Sequence, residues 1–115
     1  MRILDEMQRK RIGIESNEQT LMLKVKQQLE INLPSNPTTG YMWVEAKIDD
    51  LQVIRLDKAD LIPDGPVNSY GKGGTQYWLF TAVNTGQDDI LLQYQQPWDD
   101  DKIDRTFRLT VVVIP

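Results

Sequence analysis

The chain has 115 residues, a net charge of -4, and neither cysteine nor histidine. A single domain of that length buries roughly two thirds of its unfolded surface without a disulfide or metal staple. The two missing residue types remove the Ser-His-Asp and Cys-His constellations, thiolate ligands, the usual zinc sites and the commonest general base, so a cofactor-free binding protein is expected rather than an enzyme; the negative charge argues against nucleic acid or an anionic membrane surface as partner.

No apolar run approaches the roughly 20 residues that span a bilayer. Residues 1 to 13 carry Asp5, Glu6, Arg9, Lys10 and Arg11 where a signal peptide would be apolar, which points to an intracellular chain or one that begins after processing. Residues 1 to 18 mix both charge signs with a thin apolar face (Ile3, Leu4, Met7) and are expected to form a mobile or weakly structured arm before a domain over residues 19 to 115.

From Thr20 the apolar period becomes two: Leu21, Leu23 and Val25, then Leu29, Ile31 and Leu33, predict two half-buried strands joined by a polar turn at residues 26 to 28. The run Leu33-Pro34-Ser35-Asn36-Pro37-Thr38-Thr39-Gly40-Tyr41-Met42-Trp43 then breaks the alternation. Asn36 precedes proline and is pushed toward extended geometry, Pro37 fixes its own φ, and Gly40 can take a positive φ, so the connection is a stiff loop with a small polar tip. A third strand is expected over residues 41 to 48, with Tyr41, Trp43 and Glu45 on one face and Trp43 in the core, and a fourth over residues 51 to 56 with Leu51, Val53 and Arg55 on one side. Residues 57 to 70 have few apolar anchors and read as a surface connection with one strand fragment, followed by Gly71-Lys72-Gly73-Gly74. Residues 76 to 83 and 89 to 96 resume strand character. A polar loop led by Gln96, Pro97 and Trp98 spans residues 96 to 104, and residues 106 to 114 close the chain with Phe107, Leu109, Val111 and Val113 aligned. About seven or eight short strands with no strong helix predict an all-β, immunoglobulin-like antiparallel β-sandwich.

If successive strands reverse direction, three loops emerge at one end: residues 36 to 40, 71 to 74 and 96 to 104. They are also the three of most unusual composition, and together they look more like a paratope than an active site. Each has a plainer reading. Asn36 and Gly40 can serve turn geometry alone, the glycine cluster can be a linker, and Asp99, Asp100, Asp101 and Asp104 lack the glycine and terminal glutamate of an EF-hand loop and read as a solvated acidic tip. No following helix makes the glycines a phosphate loop, and no pair of carboxylates is placed for glycoside hydrolysis. Trp98, between a proline and three aspartates, cannot easily turn inward and is the strongest binding candidate.

The combination of Asn36-Pro37-Thr38-Thr39-Gly40-Tyr41 with Trp43, then Gly71-Lys72-Gly73-Gly74, then Pro97-Trp98 resembles the chagasin-like inhibitors of papain-family cysteine proteases, in order and in spacing over residues 20 to 115. The resemblance implies a tight-binding inhibitor, monomeric when free, whose three loops wedge into a papain-like protease cleft. Thr38 and Thr39 would approach the catalytic cysteine, with Pro37 and Gly40 shaping the tip. Gly73 and Gly74 would admit backbone close to the unprimed side, and Trp98 would stack on the primed side. The pattern departs from the family at Gln96, where relatives commonly carry arginine; glutamine keeps a donor but loses the charge and the planar fork. The competing classes are a noncatalytic module for carbohydrate or a protein receptor, displaying tryptophans, and an oligomerising structural domain.

Overall fold

The computed structural model describes residues 9–46, 50–63, 73–96 and 98–115, leaving aside the side chains of residues 37, 100 and 101. Period-two patterning yields β2 (Gln19–Lys24), β3 (Gln28–Ser35), β4 (Met42–Glu45), β6 (Gly74–Ala82), β7 (Gly86–Gln96) and β8 (Asp99–Ile114), joined by β1 (Arg9–Ile12) and β5 (Ile54–Pro63), whose patterning is weak. They form two four-stranded sheets, ordered β1-β3-β6-β5 and β2-β8-β7-β4. Leu29, Ile31 and Leu33 of β3 and Trp78 and Phe80 of β6 face Leu92 of β7 and Phe107, Leu109 and Val111 of β8, all at most 1% exposed. Each fully buried side chain of this kind contributes about 1.5–3 kcal/mol, which makes the inter-sheet layer the main source of stability.

The strands from β2 to β8 do reverse direction one after another. Six reversals leave β2 and β8 pointing the same way, so the expected antiparallel pairing is corrected there: the two run parallel, from Gln19 opposite Leu109 to Lys24 opposite Ile114. The same correction applies to β1, which runs parallel to β3 from Arg9 opposite Gln28 to Ile12 opposite Ile31.

Residues 9 to 18, expected within an arm, therefore lie on the sandwich; residues 1 to 8 fall outside the described residues. A cation-carboxylate cluster accompanies β1, with Arg9 3.6 Å and Arg11 3.7 Å from Glu30. The chain then crosses to the other sheet through a 3-10 turn at Ile14–Ser16, and Asn17 Oδ1 accepts from the Arg108 N–H at 2.8 Å.

Three further expectations change. β4 ends at Glu45 rather than residue 48, and residues 47–49 lie outside the described residues. The fourth strand starts at Ile54, because Val53 and Ile54 are buried consecutively and break alternation; residues 51 to 53 instead form a turn fastened by the buried carboxylate of Asp88. Residues 57 to 63, read as part of a surface connection with one strand fragment, are strand throughout and continue β5 along β6 past an irregularity between Leu56 and Lys58. This is an edge strand with charged, outward-facing positions, a pattern that discourages pairing with another chain. At the irregularity, partial burial raises the Asp57 carboxyl, but hydrogen bonds from Arg55 and Thr81 and the Arg55 charge outweigh it and leave the group below its ordinary value. The rest of that expected connection, residues 64 to 70, lies outside the described residues.

Candidate functional site

Strand alternation places the β3–β4, β5–β6 and β7–β8 connections at one end of the sandwich. Among the expected site residues, Gly71, Lys72 and Pro97 lie outside the described residues. The others come together.

The first connection is a self-bonded turn. Pro37–Thr39 is a single 3-10 turn, which proline's fixed φ and the Asn36 side chain both favour. The Asn36 Oδ1 accepts from the Thr38 N–H at 3.3 Å and from the Thr38 hydroxyl. The Asn36 carbonyl accepts from the Thr39 N–H at 3.1 Å and from the Thr39 hydroxyl at 2.7 Å. Thr39 Oγ1 in turn accepts from the Tyr41 N–H at 3.3 Å. Asn36 thus organises the turn from its root, while Thr38 and Thr39 stay exposed at its tip. Gly40 has φ +83°, the left-handed geometry for which a glycine was expected.

The β7–β8 connection differs from expectation. In place of a loop over residues 96 to 104, β7 runs to Gln96 and β8 begins at Asp99, so Trp98 stands at the tip of a two-stranded ribbon. The pairing jumps from Tyr94 opposite Arg105 to Gln95 opposite Ile103 and then Gln96 opposite Asp99, which leaves extra residues on β8. The polar run looked like a loop because no apolar alternation marks it: Gln95, Gln96, Asp99 and Lys102 are all polar, and what identifies the strands is their backbone pairing. Trp98 at the tip is 73% exposed. A Cβ on Gly40 would stand 3.1 Å from Trp98 Cη2 and 3.5 Å from Gln96 Nε2, so the first turn and the ribbon tip are in contact. Gly40→Ala is expected to cost about 1–2 kcal/mol in urea unfolding, from the left-handed backbone and the crowding against the ring, and to shift Trp98 fluorescence.

The two described glycines of the second connection have an internal reason. A Cβ on Gly73 would lie 2.8 Å from the Ser35 carbonyl oxygen, and one on Gly74 would lie 2.7 Å from that of Ile62. They allow β6 to enter the sheet between its neighbours β3 and β5 at the root of the first turn.

A supporting layer lies beneath. Trp43 Nε1–H donates to the Pro34 carbonyl at 2.9 Å. The Gln76 carboxamide acts as a piece of strand for β4, accepting from the Trp43 N–H at 2.8 Å and donating to the Trp43 carbonyl at 3.0 Å. The Tyr94 hydroxyl accepts from the Asn36 N–H at 3.0 Å. Its ring lies 5.1 Å from that of Trp43 and 5.7 Å from that of Tyr41, and the Arg105 guanidinium sits 5.3 Å from the Tyr94 ring centre and 5.5 Å from that of Trp43. Sequence reasoning missed Gln76, Tyr94 and Arg105. Gln76 carried a signal, a polar side chain on the apolar face of Trp78 and Phe80; Arg105 carried none.

The family model for the chagasin family peptidase inhibitor I42 matches residues 22–111. The chain belongs to the chagasin family. That makes it one of a family of inhibitors rather than enzymes. It is 35% identical over 99 residues to Amoebiasin-1 of Entamoeba histolytica, covering 86% of this chain and 94% of that protein. Two solved structures share the fold of this chagasin-family chain. The cysteine protease inhibitor EhICP2 from Entamoeba histolytica superposes with a TM-score of 0.78 at 22% identity, covering 92% of this chain and 96% of its own. PbICP-C, solved in complex with falcipain-2, superposes with a TM-score of 0.60 at 20% identity, covering 91% of this chain and 90% of its own.

Proposed function

We propose that this chain is a reversible, competitive inhibitor of papain-like cysteine proteases that fills the active-site cleft with the three connections at one end of the sandwich. The observation that carries the reading is the contact of Gly40 with Trp98, which joins a self-bonded threonine turn and an exposed tryptophan tip into one protruding edge. The family and the complex of a same-fold protein with falcipain-2 support it.

In this reading Thr38 and Thr39 meet the catalytic cysteine, with Pro37, Gly40 and Tyr41 shaping the turn. Gly71, Lys72, Gly73 and Gly74 border the unprimed side, and Gln96, Pro97 and Trp98 the primed side. Asn36 contributes from within, by holding both threonines. The block is noncovalent in this reading: the protease supplies the cysteine nucleophile, and the turn at Pro37–Thr39 presents no extended scissile peptide for it to attack. A 3-10 turn whose amides and hydroxyls bond to its own root does not offer the extended strand that a cleft protease cuts. An interface on the order of 1,600 Å² made by preorganised loops is sufficient for nanomolar affinity. The carbohydrate alternative loses its platform, because Trp43 and Trp78 are 3% and 1% exposed.

Titrating active papain with the purified protein tests the function. The expected result is stoichiometric, substrate-competitive loss of activity that returns on dilution, with the inhibitor uncut by mass spectrometry. Full papain activity at micromolar inhibitor would overturn the proposal.

A further inference from the structure

We propose that Tyr94 is a positioning residue, whose hydroxyl locks the root of the threonine turn to the ribbon that carries Trp98. For its effect on inhibition the inference rests on the function proposed above; for its effect on the turn it does not.

The ladder between β3 and β6 ends with Ser35 opposite Gly74, so Asn36 holds the first backbone amide beyond it. That half-buried amide needs an acceptor, and it finds one 58 residues away on the opposite sheet, the Tyr94 hydroxyl at 3.0 Å. Asn36 is also the residue on which the turn hangs, since its carboxamide and carbonyl oxygens hold both Thr38 and Thr39. Whatever fixes Asn36 therefore fixes the tip.

Tyr94 is itself held. Its ring packs against Tyr41 and Trp43, the residues by which the chain leaves the turn, and against the Arg105 guanidinium across the ribbon. Arg105 and Tyr94 are register partners, and beyond that pair β7 runs on through Gln96 to the Trp98 tip. One side chain thus connects the entry of the turn, its exit and the strand leading to the tryptophan. Without the hydroxyl, Asn36 would keep its covalent link to Ser35 and its bonds within the turn, but the turn would no longer be registered against the ribbon, and ordering it would be charged to association.

Tyr94→Phe isolates the hydroxyl while retaining the ring, its aromatic neighbours and the Arg105 contact. In the free protein we expect faster amide hydrogen exchange at Asn36, Thr38 and Thr39, no change at core amides such as those of Leu29 and Phe80, and a nearly unchanged melting temperature. Against papain we expect an inhibition constant raised about tenfold. The loss should be smaller in an Asn36→Ala background, where the turn has already lost its carboxamide bonds, and smaller also in a Trp98→Ala background, where the ribbon has lost the ring against which the turn is registered. Unaltered exchange at the three turn amides would overturn the inference, as would faster exchange throughout the core with a lowered melting temperature, which would mark Tyr94 as merely structural. Altered exchange with an unaltered inhibition constant would overturn its positioning role in inhibition. Should the wild-type protein fail to inhibit papain, the function proposed above fails, and the exchange measurement still decides whether Tyr94 fixes the turn.

Discussion

Trp98→Ala is expected to raise the inhibition constant against papain by about 30-fold or more, about 2 kcal/mol, with folding stability changed by less than about 1 kcal/mol. The separation of the two effects comes from where the indole stands. With 73% of its surface open to water, Trp98 contributes little area to folding, and Gly40 beside it has no side chain to lose contact with. On docking, the same ring would pass from water into a groove wall, the setting in which tryptophans become binding hot spots. Inhibition constants and urea unfolding of the two proteins check both halves. An unchanged inhibition constant would remove Trp98 from the interface, and a large loss of folding stability would mean that the ring serves the fold. Phenylalanine at the same position should recover part of the affinity, because a smaller flat ring can still lie on the wall.

How much of this was legible before the structure depended on whether the determinant was local. Leu29, Ile31 and Leu33, or Trp78, Phe80 and Ala82, mark their own inward faces by spacing alone, and all are buried. Counting reversals was then sufficient to bring three loops to one end. The full length of β5 escaped, its start being read within a strand over residues 51 to 56 and its continuation as a fragment, because an edge strand buries few side chains: between Leu56 and Leu61 every residue of it is exposed, and its evidence of being a strand is its backbone ladder to β6. β1 escaped for a related reason, since Arg9 and Arg11 look like solvated charge until Glu30 on the neighbouring strand supplies the partner. At the candidate site the tip residues announced themselves through proline, glycine and tryptophan, whereas the braces depend on partners far away in sequence, Tyr94 for Asn36 and Gln76 for Trp43. The glycines show a third case. Their presence was legible, but the strands they admit, β3 at Ser35 and β5 at Ile62, were not.

Asp88→Asn is expected to lower folding stability by about 2–4 kcal/mol while leaving the inhibition constant of the folded protein unchanged. Asp88 faces inward on β7 in line with Ile90 and Leu92 and is 8% exposed, an expensive place for a carboxylate unless it is well paired. Its partners are backbone amides of the chain crossing into β5. Oδ1 accepts from the Gln52 N–H at 3.1 Å, and Oδ2 accepts from Gln52 at 2.9 Å, Val53 at 2.7 Å and Ile54 at 3.0 Å. Three consecutive N–H groups pointing at one carboxylate tie the two sheets together at the end opposite the threonine turn. Hydrogen bonds to a charged group contribute about 1.5–3 kcal/mol each, but they share one side chain and are not additive. Asparagine can place its one oxygen where Oδ2 stands, but it gives up the charge that strengthens all three bonds and sets an N–H₂ group against the Gln52 N–H in place of Oδ1. Urea unfolding with an unchanged m-value is the measurement, because a pure stability loss moves the midpoint alone. Since Gln52, Val53 and Asp88 lie at the far end of the strands from Thr38 and Trp98, inhibition titrated at low temperature, where the variant is folded, should match the wild type. A loss below about 0.5 kcal/mol would show that the turn at residues 51 to 53 is held by the burial of Val53 and Ile54 and by the Val83 N–H, which donates to the Val53 carbonyl at 2.8 Å, and not by the carboxylate.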